Sequence, residues 1–519
     1  NKRVRKVEIF VLLLILLGGF LVRMYKFNNP IADWHSWRQA DTSSVSRNFV
    51  KKGFDLLRPK FDDLSIAVSL TDNPQGYRFV EFPIYNVLQA GLYKIFHKLT
   101  LEEWGRMVTI SSSLVSIIFL YLLVGKYTNY RTGLLTAFFF AFIPYNIYYG
   151  RTILPDQSMV AALLGGTYFF SNWMDANEKR KTIHSTKLRI ALSGVERAKN
   201  EKPELAEYTF FVLSLIFTAT ALLLKPYALF FTLPMIYLAW HQFGFGFLKK
   251  WQLWLFLILA LMPLGLWRIW MNQQEFLPGI ARSDWLFNGN HIRFKGAFFH
   301  WLFADRIARL ILGYWGLPFV VLGILRKINK KENWFFFYFI ISSLVYMTVL
   351  ATGNIQHDYY QVLIMPTLAI FLAKGVDFIL EGKNIFNYWT SRLTITVVII
   401  FMLAFGWFAV RDFYSIQHPN LILAGKAVDA SVPKDAKVVA PYGGDTTLLY
   451  YTNRKGWPVF DRSFKDFKKA GASYIAFADP TPEELNLETL FKPVTITSMY
   501  AIFDLTQPTP EGLEAQKKD

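Results

Sequence analysis

Roughly eleven apolar stretches of about 17–25 residues, the length that crosses the hydrocarbon core of a bilayer, recur along this 519-residue chain. A soluble domain breaks its apolar runs with polar residues at helical or strand spacing, so long unbroken runs repeated this often call for lipid as the solvent. With 53% hydrophobic residues, 18% aromatic residues and a mean hydropathy of +0.25, the chain is expected to be an integral membrane protein. The fold class expected is an all-α polytopic membrane domain with outer surface helices, followed by a small C-terminal α/β domain.

The spans are expected at about Val7–Leu21, Met107–Val124, Thr132–Tyr148, Ser158–Trp173, Tyr208–Leu224, Tyr227–Trp240, Trp251–Trp270, Ile307–Leu325, Trp334–Leu350, Val362–Leu380 and Leu393–Val410. Basic residues fix their direction. Lys2, Arg3, Arg5 and Lys6 precede the first span, and the polar stretch 174–207 carries Lys179, Arg180, Lys181, Lys187, Arg189, Arg197, Lys199 and Lys202. Lys249-Lys250, the Arg326–Lys331 run, and Lys383 with Arg392 fall on the same side, which the positive-inside rule assigns to the cytoplasm. The N-terminus is then cytoplasmic. The odd number of spans puts the region from about Arg411 outside, with a bacterial inner membrane as the best-fitting location.

The net charge of +18 is accounted for by these loops and anionic lipid headgroups; with no binding motif and no basic stripe, nucleic acid is not expected as a partner. The absence of cysteine excludes disulfides, thiolate metal sites and cysteine nucleophiles. Two domains are read: 1–410 in the membrane, with a first outer loop at 23–106 and a basic loop at 174–207, and 411–519 outside. Within the latter, 437–442 and 474–478 read as strands, 464–470 and 482–490 as helices.

This orientation gathers the unusual polar residues on the outer face: Asp33, Asp41, Glu81, Arg151, Asp156, Lys225, His357 and Asp358. The first outer loop is too long for a connector. The latter half of its Ala32–Phe49 run has helical spacing, with Arg38, Asp41 and Val45 recurring at three and four so that Arg38 and Asp41 share a face, and Asn86–Phe96 reads as a surface helix. Arg23-Met24-Tyr25-Lys26 reads as an interfacial anchor. The Arg151–Asp156 turn brings a second carboxylate to the outer boundary to meet Asp41.

In this span layout, the acidic first loop, the Arg151–Asp156 turn, the His357-Asp358-Tyr359-Tyr360-Gln361 segment and the soluble tail, the chain resembles the GT-C superfamily of polytopic glycosyltransferases. The likeness is to the bacterial branch near protein O-mannosyltransferases and lipid A aminoarabinose transferases. It implies a polyprenyl-phosphate-linked sugar donor, an acceptor outside the cytoplasm (protein, lipid A or another glycan), a first-loop carboxylate as catalytic base, and outer cations on the lipid phosphate. One departure stands out: where such transferases often have Asp-Glu about eight residues before a Ser-Arg like Ser46-Arg47, this chain has Arg38-Gln39. The base role passes to Asp41, with Asp33 in reserve.

The chemistry asks for these residue types on its own terms. An acceptor attacking C1 of a sugar phosphate must lose a proton, for which Asp41, Asp156, Glu81 and Asp33 are the candidates. The departing phosphate gains charge, which Arg38, Arg151, Lys225, Arg268, His357 and Tyr360 are placed to receive. Direct displacement inverts the anomeric centre. A divalent metal held by Asp41 and Asp156 is left open, since their spacing is not diagnostic. Two other classes compete: a transporter or flippase of lipid-linked sugars, which would put ionisable groups at mid-membrane, and a non-catalytic assembly partner, which would not need paired outer carboxylates.

Overall fold

The computed structural model describes residues 2–66, 71–193, 203–274, 285–382 and 387–518. Each of the eleven expected apolar stretches overlaps helix, although Ile307–Leu325 is interrupted by a turn at 312–316. Five helical runs are long and apolar enough to cross a membrane by length and composition: Leu101–Tyr127, Leu205–Leu224, Trp251–Met271, Asp358–Glu381 and Tyr388–Ser431. The chain is thus an integral membrane protein with a mostly helical body.

Local sequence accounts for where the helices start and stop. Thr100 and Glu103 form a capping box at the head of Leu101–Tyr127, satisfying two of its free N–H groups. Ile143 is driven to extended geometry by Pro144, so the third stretch divides into Tyr130–Phe142 and Pro144–Tyr149. The stretch 174–207 differs from its expected form as a loop. The helix that begins at Asp156 continues to Ser193, through a segment rich in Lys, Arg, Glu and Ala, all good helix formers. Residues 194–202, with Arg197, Lys199 and Lys202, lie outside the described residues, as does Lys383.

Arg23 is no interfacial anchor. It is fully buried and donates through Nη1 to the Gly19 and Ala141 carbonyls, both at 2.9 Å, and through Nη2 to the Asn146 carbonyl. Gly150 makes room: a Cβ there would sit 2.3 Å from Arg23 Nε.

The C-terminal region is α/β, as expected. Its five strands, β1 (Lys437–Val439), β2 (Lys455–Trp457), β3 (Ala472–Ala478), β4 (Phe491–Ile496) and β5 (Tyr500–Pro508), pair in the order β2-β1-β3-β5-β4. β1 is parallel to β2 and β3, while β5 is antiparallel to β3 and β4. Strand alternation splits the apolar residues between two faces. Val438, Ala476 and Ile502 pack under the helices Pro419–Ser431 and Thr447–Thr452. Val439, Ile475 and Phe503 pack with Phe467 of the helix Phe464–Lys469.

This sheet is coupled to the first outer loop. Leu64 N–H donates to the Gly456 carbonyl at 2.8 Å, Gly456 N–H donates to the Asp62 carbonyl at 3.0 Å, and the Leu64 side chain enters the Val439 face of the sheet. A Cβ on Gly456 would lie 1.7 Å from the Val438 carbonyl oxygen, so only glycine fits between loop and strand. The loop's two helices, Ser36–Lys52 and Ile84–Ile95, pack on each other beneath this junction.

Candidate active site

The helix Ser36–Lys52 is polar in sequence yet largely buried, with Arg38, Gln39, Asp41, Thr42, Ser43, Ser44 and Ser46 all covered. It starts from His35, a left-handed residue with φ 56°. That unfavourable backbone is held by the side chain, whose Nε2 lies 2.5 Å from Asp358 Oδ1. Asp358 also accepts from Tyr149 OH at 2.5 Å and from Trp34 Nε1 at 3.0 Å, so it serves as an anchor for the start of this helix.

One turn on, Arg38, Asp41 and Thr42 line a small cleft with Arg78, Glu81, Tyr85 and Asn86. Asp41 is 1% exposed. Its Oδ1 accepts from Thr446 Oγ1 at 2.8 Å, and its Oδ2 lies 3.0 Å from Arg78 Nη2 without forming an aligned hydrogen bond. Arg78, also buried, has no partner for Nε or Nη1 among the described residues. A buried guanidinium with two idle donors is costly unless something else completes it.

From Arg38 and Glu81 in the cleft wall, charges of alternating sign run on to Lys225 and Asp156 behind it. Arg38 pairs with Glu81, Glu81 lies 3.5 Å from Lys225 Nζ, and Lys225 Nζ lies 3.2 Å from Asp156 Oδ1. Arg38 and Lys225 outweigh the cost of burial and hold Glu81 down to about 2, so it remains ionised and is a weak proton acceptor at neutral pH. Lys225 Nζ also faces the Tyr227, Tyr359 and Tyr360 rings at 5.5, 5.4 and 5.8 Å.

The remaining candidates are placed apart from the cleft. Asp33 accepts from Gln39 Nε2 at 2.7 Å and from Arg151 Nη2 at 2.9 Å, so Arg151 and Asp156 do not pair with each other. Arg268 donates to the Phe79 and Val80 carbonyls and thereby fixes the chain between Arg78 and Glu81. His357 sits among the rings of His35, Trp37, Tyr359 and Tyr360. Burial, with His35 beside it, pushes His357 down to about 4, so at neutral pH it offers a hydrogen bond and no charge. Asp41 and Asp156 each face a cationic side chain, and among the described residues no three His, Asp or Glu side chains gather to hold a metal ion.

Three participants were not singled out from sequence. Arg78 lies in an unpatterned part of the loop, and Thr446 is about 400 residues from the aspartate it touches. Asp63, buried with Oδ2 unpartnered and Oδ1 accepting from Ser65 N–H, is pushed up to about 7, chiefly by its burial. The unusual run Phe61-Asp62-Asp63-Leu64, two carboxylates flanked by apolar residues, was the available signal.

The architecture has known counterparts. ArnT from Cupriavidus metallidurans bound to undecaprenyl phosphate superposes with a TM-score of 0.63 at 11% identity, over 96% of this chain and 97% of that one. Its apo state gives 0.62 at 11% identity, over 97% and 98%. This is the GT-C fold. A third GT-C structure, the archaeal oligosaccharyltransferase AglB from Archaeoglobus fulgidus in complex with an inhibitory peptide and a dolichol-phosphate, gives 0.51 at 10% identity, over 93% of this chain and 70% of that one. A family model described as dolichyl-phosphate-mannose-protein mannosyltransferase matches residues 78–187, a segment that starts at Arg78 and contains Glu81, Arg151 and Asp156. No curated protein matches the sequence significantly.

Proposed function

We propose that this protein is a membrane glycosyltransferase that moves one sugar from a polyprenyl-phosphate-linked donor to an acceptor on the outer side of the membrane. The observation that carries the reading is the cleft in which a buried carboxylate, Asp41, stands beside a buried cation with two idle donors, Arg78. The GT-C fold and the family match over residues 78–187 support it.

In this reading the acceptor's nucleophile attacks C1 of the donor sugar while Asp41 takes its proton. The bond between C1 and the phosphate oxygen breaks, its electron pair leaves with the polyprenyl phosphate, and the anomeric centre inverts. The phosphate gains a second negative charge, which Arg78 meets with its free N–H groups and Lys225 and Arg38 meet as fixed charges. Glu81 and Asp156 keep those cations in position, and Asp33 with Arg151 holds the loop. Tyr360 and His357 line the approach. The acceptor is protein, lipid A or another glycan, and the outer domain at 411–519 selects it.

Eleven spans, a cytoplasmic N-terminus, an outer C-terminal domain and a bacterial inner membrane complete the proposal. The test is transfer of radiolabelled sugar from synthetic polyprenyl-phosphate donors by purified protein in detergent. Turnover that needs the lipid phosphate and is lost in Lys225→Gln supports the reading. Movement of a lipid-linked sugar across liposomes with no transfer to any acceptor overturns it.

A further inference from the structure

An amphiphile-shaped cavity lies at the far end of the helix bundle from the cleft. The helix Trp251–Met271 connects the two. At its C-terminal end Trp267 and Arg268 touch the first outer loop, and at its other end, about 30 Å away for 21 residues at 1.5 Å each, stand Lys249 and Lys250. An apolar groove of about 300 Å³ runs along this helix, lined by Phe170, Leu222, Met235, Phe256 and Leu257. Between Leu253 and Leu261, both in its wall, it extends for about 12 Å.

At Leu253 the groove meets a second cavity of about 290 Å³ with a different lining: Trp173, Asn177, Lys249, Lys250 and Trp251. Among the described residues no carboxylate lines it. Glu207 accepts from Asn177 Nδ2 at 3.1 Å. Asn177 itself is 8% exposed, and its Oδ1 has no partner among the described residues. Among the described residues neither lysine has a carboxylate partner. Lys250 lies 5.3 Å from the Phe243 ring, and Lys249 is exposed. The first turn of Trp251–Met271 opens at this mouth with no side-chain cap.

We infer that this groove and mouth form a binding site for an anionic phospholipid of the leaflet opposite the candidate active site. One acyl chain fills the groove, the phosphate lies between Lys249 and Lys250, and a headgroup hydroxyl donates to Asn177 Oδ1. The two lysines select for net negative charge, which is what a basic pocket between helices at a headgroup plane recognises. Trp251 and Trp173 sit at the boundary between tail and headgroup, where amphipathic rings are favoured. The site does not depend on the transferase reading.

The test is native mass spectrometry of the full chain in detergent, with phosphatidylglycerol, phosphatidylethanolamine and undecaprenyl phosphate as separate probes. Wild type is expected to retain phosphatidylglycerol about tenfold over phosphatidylethanolamine, and K249Q/K250Q to lose that preference. Leu257→Trp, which fills the groove from a membrane-exposed position, is expected to abolish retention while both lysines remain. An unchanged unfolding midpoint in each variant separates lost binding from lost fold. Equal retention of the two phospholipids, phosphatidylglycerol binding that survives K249Q/K250Q, or displacement of phosphatidylglycerol by equimolar undecaprenyl phosphate overturns the inference.

Discussion

Two buried aspartate–arginine pairs stand eight residues apart in the first outer loop, and they are built to opposite ends. Asp33 has both carboxylate oxygens engaged, and its partner Arg151 also donates to the Lys26 carbonyl at 3.0 Å and lies 4.6 Å from the Tyr414 ring. Among the described residues Asp41 has one oxygen without a hydrogen bond, and its partner Arg78 keeps two donors idle beside a cleft. The first pair is nearly closed, with Arg151 Nε alone lacking a hydrogen bond among the described residues, and it fixes the loop to the helices. The second is incomplete, and its missing partners are of the kind that an acceptor hydroxyl and a phosphate supply. Composition alone makes the pairs equivalent; the number of satisfied atoms separates a structural ion pair from a reactive one.

The contrast is broken most strongly at the closed pair. Arg151→Met leaves Asp33 as an uncompensated buried charge and is expected to cost about 3–5 kcal/mol of stability, read from chemical unfolding in detergent, with part regained in the Asp33→Leu/Arg151→Met double variant. At the open pair, Arg78→Gln is expected to lower kcat/KM for sugar transfer about 10²-fold while the unfolding midpoint changes little, because what is lost is charge stabilisation of the departing phosphate. Equal stability losses at both arginines would erase the distinction. Thr446→Val removes one hydrogen bond to the Asp41 carboxylate and is expected to lower kcat about tenfold, with Thr446→Ser close to wild type.

The smallest effect is one of pH. Asp63 holds its proton up to about 7 in the folded chain against an ordinary value of 3.8, so its contribution to stability is complete below about pH 4 and fades as pH rises through 7. The unfolding midpoint is therefore expected to fall between about pH 4 and pH 7 and to level off above that, and Asp63→Asn to flatten that fall.

The helical framework was readable in the chain because lipid forces long apolar runs, and a run carries its own signal without reference to any partner. The Arg38–Asp41 face was readable for the same reason, being set by local helical spacing. The site's closure was not. Arg78 and Thr446 reach Asp41 only through the fold of the loop and its packing against the outer domain, Thr446 from 405 residues away. Only part of the outer domain was readable. β1, β3 and two helices follow period and caps, whereas the three-residue β2, Lys455-Gly456-Trp457, is too short to signal itself. Charge misled at Arg23, which is buried against carbonyls.

The central claim is that Asp41 takes the acceptor proton and Asp33 does not. Its most direct test compares Asp41→Asn and Asp33→Asn in the same assay, measuring sugar transfer and polyprenyl-phosphate donor binding in samples shown to be folded. The expected result is a fall in turnover of about 10²–10⁴-fold for Asp41→Asn with donor binding within about threefold, and a loss of stability with turnover per folded molecule preserved for Asp33→Asn. Turnover that survives Asp41→Asn but collapses in folded Asp33→Asn would contradict it.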